Sequence, residues 1–219
     1  MSCGLFIEMI VNERITTYIH SLESDNPEYL ESLRATAEKT GVPIIRREME
    51  SFLRVLLEIK KPKHILEIGT GTAFSAIFMA SCSKAHITTI EKSPKRLKLA
   101  GSNILKNGLA DRITLIEGDA GCAMPFLAGP YEFVFMDAAK GQYISFLPEI
   151  IRLMPKGGLL LSDNVLQDGD LIESRYITAR RQRTIHERMR EYIWEVKHNP
   201  ALDTTVITIG DGVTLSIKK

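Results

Sequence analysis

Cysteine is scarce in this chain, with three in 219 residues, at Cys3, Cys82 and Cys122. Their spacing matches no metal motif, and an odd number leaves one thiol outside any disulfide scheme, which fits a reducing, cytoplasmic setting. An excess of charge is missing too. Lys and Arg total 28 against 27 Asp and Glu, a formal net charge of +1, so any attraction to nucleic acid has to come from a local patch. No apolar run is long enough to span a bilayer. The opening MSCGLFIEMIVNERITTYIH has no basic n-region, and Glu8 and Asn12 cut its apolar stretch, so neither a signal peptide nor a membrane segment is expected. Repeats and low-complexity segments are absent, and no G-K-[ST] follows a glycine loop, which excludes a Walker A nucleotide site. Apolar residues, by contrast, make up 44% of the chain, enough for the core of one domain spanning residues 1–219.

Residues 1–60 read as helices. Ile10, Ile15, Tyr18, Ile19 and Leu22 recur at helical spacing, a second helix is expected between Pro27 and Gly41, and a third from about Arg46 to Ile59. From residue 61 onward the texture changes. The short apolar runs HILEIG, HITTIE, RITLIEGD, EFVFMD and GLLLSDN alternate with crossover helices expected to be 10–15 residues long, the pattern of a parallel sheet covered on both faces. Each run ends in an acidic or glycine-containing stretch, and ligands of such sheets bind beyond the carboxyl ends of the strands. Thr178 to His198 reads as a long, arginine-rich helix. DTTVITIG and GVTLSIKK, joined through Gly210-Asp211-Gly212, read as a hairpin adding an antiparallel edge. The expected fold is a Rossmann-like α/β sheet, mostly parallel and seven-stranded, with N-terminal helices and a C-terminal hairpin.

LEIGTGTAFS, residues 66–75, is a strand, a glycine turn and a helix start. Gly69 permits a ligand to approach the main chain, and the helix start offers free N–H groups. Such a turn also occurs with no ligand at all. Phe74 stands where a dinucleotide site has its third glycine, leaving less room for a pyrophosphate. Glu91 closes the next strand about 20 residues on, where a carboxylate suits the two hydroxyls of a ribose. Asp119, in IEGDA, either caps the following helix or accepts from an exocyclic amine such as that of adenine. Together the three describe an adenosine-bearing cofactor without a phosphate clamp.

FVFMDAAKGQY ends a buried strand at Asp137 and brings Lys140 three residues later. Asp163 and Asn164 end the next strand. Adjacent strand ends would bring two carboxylates and an amide oxygen together as a hard, all-oxygen half-shell suited to Mg²⁺ or Mn²⁺. Read singly, Asp163 could cap a loop, Asn164 form a turn and Lys140 be a solvated surface lysine. Read together, Lys140 stands as a general base beside a metal.

At this point the chain resembles the class I S-adenosylmethionine-dependent O-methyltransferases, and more closely the metal-dependent group with the catechol and caffeoyl-coenzyme A enzymes. LEIGT…FSA, IEKSP, GDA, DAAKGQY and SDNV fall in that family's order over roughly residues 40–219. The resemblance implies that Glu67 and Gly69 line the methionine part of the cofactor and Ser75 binds its carboxylate. It places Glu91 at the ribose, Asp119 and Ala120 at the adenine, and Ile45 at an apolar contact. Asp163 and Asn164 would bind the metal, Asp137 would serve metal, cofactor and catalysis, and Lys140 would be the catalytic base. One departure is Ala73, where the family usually has glycine. The resemblance also implies a homodimer.

Chelation requires adjacent oxygens on the acceptor. Catechols have them, and so does 5-hydroxyuridine. GVPI, FMDAAKGQY, SDNVL, ARRQR and GDGVTLSIKK resemble the bacterial tRNA 5-hydroxyuridine methyltransferases, which form 5-methoxyuridine at the wobble position. The expected partner is therefore tRNA, gripped through the region of Arg175, Arg180, Arg181 and Arg183. The alternative is a small catechol or hydroxycinnamoyl acceptor, with the arginines forming a solvated helix face or an oligomer contact.

Overall fold

The computed structural model describes residues 11–172 and 183–219. Arg175, Arg180 and Arg181 therefore lie outside the described residues.

Three helices come first: α1 (Glu13–Leu22), α2 (Glu28–Thr40) and α3 (Arg47–Lys60). Asn12 caps α1 by accepting from the Arg14 N–H, which accounts for the helix starting there. Gly41 ends α2 in the left-handed conformation, as Gly does readily. The sheet then alternates with helices: β1 (His64–Ile68), α4 (Phe74–Cys82), β2 (His86–Glu91), α5 (Pro94–Lys106), β3 (Ile113–Glu117), α6 (Ala120–Ala123), β4 (Phe133–Met136), α7 (Tyr143–Leu153), β5 (Leu159–Ser162), α8 (Arg183–His198), β6 (Leu202–Ile207) and β7 (Val213–Lys218).

The seven strands lie in the order β3-β2-β1-β4-β5-β7-β6, and β7 alone is antiparallel to its neighbours. The hairpin thus differs from a simple antiparallel edge. Its second strand inserts beside β5, with Leu161 opposite Leu215, and its first strand β6 becomes the edge and runs with the rest. The β3–β4 crossover is also shorter than expected. One turn of α6 and a 3-10 turn at Met124–Phe126 replace a full helix, because Pro125 and Pro130 interrupt the segment. For the arginine-rich segment, the described helix begins at Arg183.

The central strands β1 and β4 are almost wholly buried, which explains their unbroken apolar runs. The sheet separates two cores. One includes Leu30, Leu53, Phe74 and Phe133, so the N-terminal helices share it with α4. The other includes Phe146, Ile150, Met189 and Tyr192, from α7 and α8. The chain leaves β1 toward β2 and later returns to pair β4 on β1's other side. That reversal of direction opens a crevice between the ends of β1 and β4. Among the described residues no helix is long and apolar enough to cross a membrane, and Cys82 and Cys122 are free thiols.

Candidate active site

A cavity of about 590 Å³ lies at that crevice, beyond the carboxyl ends of the strands. The turn after β1 forms its floor. Gly69 has φ +99°, and a side chain there would collide with the backbone carbonyl of Asp137. Gly71 (φ +57°) and Ala73 (φ +67°) are also left-handed. For alanine this conformation costs about 1–2 kcal/mol. The Ala73 methyl is fully buried in the core, which returns about 0.8 kcal/mol. Burial thus offsets part of the backbone strain of the alanine.

Glu91 faces the cavity from the end of β2. Its two oxygens accept from the N–H groups of Gly71 (2.9 Å) and Ser93 (2.8 Å), which fixes the carboxylate against the glycine turn. Asp119 stands at the start of α6. It caps α6 through the Gly121 N–H at 2.9 Å, and it lines the cavity beside Ala120. Lys92 reaches its other oxygen at 3.7 Å. Ile45 also lines the cavity. Its carbonyl accepts from buried Arg34 at 3.1 Å, and Arg34 also pairs with Glu50 and lies over the Phe74 ring. The helix pair α2–α3 thereby positions the loop that borders the cavity.

Glu67 stands one layer behind this wall. It is fully buried and accepts from the hydroxyls of Ser75 and Thr89. Burial pushes its carboxyl up to about 8, partly countered by those hydroxyls. Ser75 is on the cavity wall and links Glu67 to it.

At the other end, the ends of β4 and β5 bring Asp137, Asp163 and Asn164 together around Lys140. Its ammonium donates to Asn164 Oδ1 at 2.8 Å, Tyr143 Oη at 3.0 Å, Asp137 Oδ1 at 3.1 Å and the Asp163 carbonyl at 3.3 Å. Burial, then the neighbouring Asp137, raises the Asp163 carboxyl to about 7, with Lys140 pulling the other way. A cation already sits among these oxygens. Around it stand a carboxylate oxygen, an amide oxygen and a main-chain carbonyl, with the Asp163 carboxyl near enough to feel both Asp137 and Lys140, and these hard oxygen donors fit a divalent ion of the Mg²⁺ class.

The O-methyltransferase family model matches residues 20–219. The chain belongs to the O-methyltransferase family. The catechol O-methyltransferase of Mycobacterium tuberculosis is 31% identical to it over 208 residues, covering 90% of this chain and 91% of that one. The caffeoyl-CoA O-methyltransferase of Citrus natsudaidai is 29% identical, covering 87% of each. The SAH-bound methyltransferase PaMTH1 of Podospora anserina matches with a TM-score of 0.86 at 26% identity, covering 95% of this chain and 97% of its own.

In this O-methyltransferase one cavity gathers Ile45, Gly69, Ser75, Glu91, Asp119, Ala120, Asp137, Lys140, Asp163 and Asn164, and leaves Glu67 behind its wall. Of the arginines singled out in the sequence, Arg183 is described. It opens α8, which docks beside the Lys140 turn through a hydrogen bond from Arg188 to the Gly141 carbonyl (3.0 Å).

Two site residues escaped the sequence reading. Tyr143 is fully buried, and its hydroxyl joins Lys140, the Ala138 N–H and the carbonyls of Met136 and Asp163. Its signal was the spacing of three residues from Lys140, one helical turn. Asp211, in the hairpin turn, accepts from Asn164 Nδ2 at 3.0 Å and pairs with Arg46. A Gly-Asp-Gly turn reads as nothing more than a turn, so its carboxylate carried no signal of its own.

Proposed function

We propose that the protein transfers the methyl group of S-adenosylmethionine to one of two adjacent oxygens on its acceptor, with Mg²⁺ or Mn²⁺ held by Asp137, Asp163 and Asn164. The observation that carries this reading is convergence. The glycine turn with its Glu91 carboxylate opens into the same cavity as Lys140 and its three oxygen-bearing neighbours. Membership of the O-methyltransferase family and the likeness to an SAH-bound relative support the choice of cofactor.

The chain's own residues divide the work. Glu91, with both oxygens on its cavity side held by backbone N–H groups, is oriented for a ribose diol. Asp119 and Ala120 border the adenine end, with Ile45 as an apolar contact. Ser75, on the cavity wall, would donate to the methionine carboxylate once its hydroxyl turns from Glu67. A divalent ion, when bound, would clamp the two acceptor oxygens and lower the pKa of the coordinated hydroxyl. Lys140 Nζ stands where it could take up the hydroxyl proton, and its hydrogen bond to Tyr143 Oη holds that nitrogen in place. Alignment of nucleophile and methyl group accounts for most of the acceleration.

For the acceptor, the names of the relatives favour a small catechol or a hydroxycinnamoyl thioester. A second reading, 5-hydroxyuridine at the tRNA wobble position, is favoured by one feature of this chain. The arginine-bearing α8 docks on the Lys140 turn, so a basic segment adjoins the acceptor side. We also propose the homodimer that the family resemblance implies, which sedimentation velocity can test. Labelled S-adenosylmethionine should be offered with catechol, with caffeoyl-CoA and with tRNA carrying 5-hydroxyuridine, and the products read by mass spectrometry. Activity should vanish with a chelator and return with Mg²⁺ or Mn²⁺. Full turnover by chelator-treated protein would remove the chelation mechanism. The acceptor that gains a methyl group decides between the two readings.

A further inference from the structure

The turn between β6 and β7 carries a carboxylate that the reaction above leaves without a task. Asp211 stands 47 positions from Asn164 in sequence, yet the two side chains meet, with Asn164 Nδ2 donating to Asp211 Oδ2 at 3.0 Å. Resting on the metal-dependent reading above, we propose that Asp211 is a positioning residue that selects which end of the Asn164 side-chain amide faces the oxygens of Asp137 and Asp163.

An amide has an oxygen at one end and an N–H₂ group of nearly the same size at the other, so shape alone barely distinguishes its two orientations. Charge distinguishes them here. Asn164 Oδ1 accepts from the Lys140 ammonium at 2.8 Å while its N–H₂ faces a carboxylate. Turning the amide over would set N–H₂ against the ammonium and oxygen against the carboxylate, replacing two charge-assisted hydrogen bonds with two repulsions. A cation taking up the Asn164 oxygen removes Lys140's hold on that end, and Asp211 still holds the other.

The surrounding fold keeps Asp211 at this task. Its second oxygen pairs with Arg46, from the loop bordering the cavity. Two donors thus converge on the side chain, one at each carboxylate oxygen, and an amide has an oxygen at only one of those two places. The turn is also laced to the segment that bears Asn164. Val165 N–H donates to the Gly212 carbonyl (2.8 Å) and Leu166 N–H to the Asp211 carbonyl (2.9 Å). A side chain at Gly212 would strike Leu166. Asn164 itself is left-handed, at φ +54°, a conformation asparagine tolerates better than most residues, so its backbone and its amide are both set by this contact region.

The test is Mn²⁺ affinity of the full chain, measured by electron paramagnetic resonance, together with thermal melting. Asp211→Asn keeps the size of the side chain but has one acceptor oxygen for two donors. We expect it to weaken Mn²⁺ binding about 10–100-fold, the usual effect of losing a partner that orients a ligand. Asp211→Ala should do the same. In an Asn164→Ala background, where no amide is left to orient, Asp211→Asn should change the affinity by less than about threefold. Unchanged affinity in Asp211→Asn overturns the inference. So does an equal loss in the Asn164→Ala background, which would show that the negative charge acts directly. Wild-type protein that binds no Mn²⁺ overturns the metal reading and this inference with it, whereas binding by wild type that Asp211→Asn leaves untouched overturns the inference alone.

Discussion

Gly69 lies against the backbone carbonyl of Asp137, so close that a β-carbon on Gly69 would collide with it. The two residues directly follow neighbouring strands, β1 and β4, and line the sides of the cavity proposed above for the cofactor and for the metal. Their contact sets the distance between the two halves of the site, and it is the reason for a glycine at this point in the turn.

Gly69→Ala should therefore damage both halves. Its φ of +99° is closed to alanine at a cost of about 1–3 kcal/mol before the collision is counted. The expected outcome is a lower midpoint in urea unfolding and loss of S-adenosylmethionine binding by calorimetry. A variant with wild-type stability and affinity would show that the turn can relax, and would separate the cofactor floor from Asp137.

Glu67 gives a prediction about pH. Its carboxyl is held near 8 in the folded chain against an ordinary 4.5, chiefly by burial. The folded state then keeps a proton that the unfolded state releases, so this group's contribution to stability is fully present below about pH 4.5 and is lost as pH rises through about 8. The slope cannot exceed about 1.4 kcal/mol per pH unit for one group. Asp163 acts in the same sense, so the comparison must be between wild type and Glu67→Gln. The difference in unfolding free energy between them should shift in favour of the glutamine variant from pH 5 to pH 8. A difference that is flat across that range would mean that Glu67 ionises freely in the folded protein.

Glu91→Ala should weaken S-adenosylmethionine binding by about 1.5–3 kcal/mol, the usual worth of a hydrogen-bonded charge. The structure adds a second loss, because Glu91 also holds the Gly71 and Ser93 N–H groups. Glu91→Gln keeps one acceptor and should fall between wild type and alanine. Calorimetry that returns the wild-type affinity for Glu91→Ala would count against placing the ribose there.

Much of this site could be read in the chain because its residues cluster locally. Asp137 and Lys140 are three positions apart, Asp163 and Asn164 are adjacent, and each group closes an apolar run whose burial on both faces marks a parallel strand. What stayed hidden depends on pairings across long separations. That β7 inserts between β5 and β6 is settled by contacts such as Leu161 with Leu215, and no local pattern encodes that order. The same register delivers Asp211 to Asn164. Glu67 shows the opposite limit. Its place in the motif was legible, but its position behind the wall depends on the hydroxyls of Ser75 and Thr89, which come from two other elements.

The arginine-rich segment separates the two acceptor readings. Arg180, Arg181 and Arg183 lie outside the cofactor motifs, so changing all three to alanine should leave affinity for S-adenosylmethionine near wild type. If they grip phosphates, tRNA binding should weaken, and the slope of log affinity against log salt should become shallower by about 0.7–0.9 for each phosphate no longer held. Methylation of a free catechol should change little. Arginine stems can instead cover apolar surface, and removing them then lowers stability. The control follows from the fold, because α8 packs with buried Met189, Tyr192 and Val196 against the sheet and Arg188 ties it to the Lys140 turn. Loosening that helix would lower the melting temperature and reduce methylation of every acceptor alike. Selective loss of tRNA methylation in a triple variant that melts like wild type supports the RNA grip. A folded triple variant with undiminished tRNA methylation and the wild-type salt slope removes it, and the acceptor is then sought among small catechols.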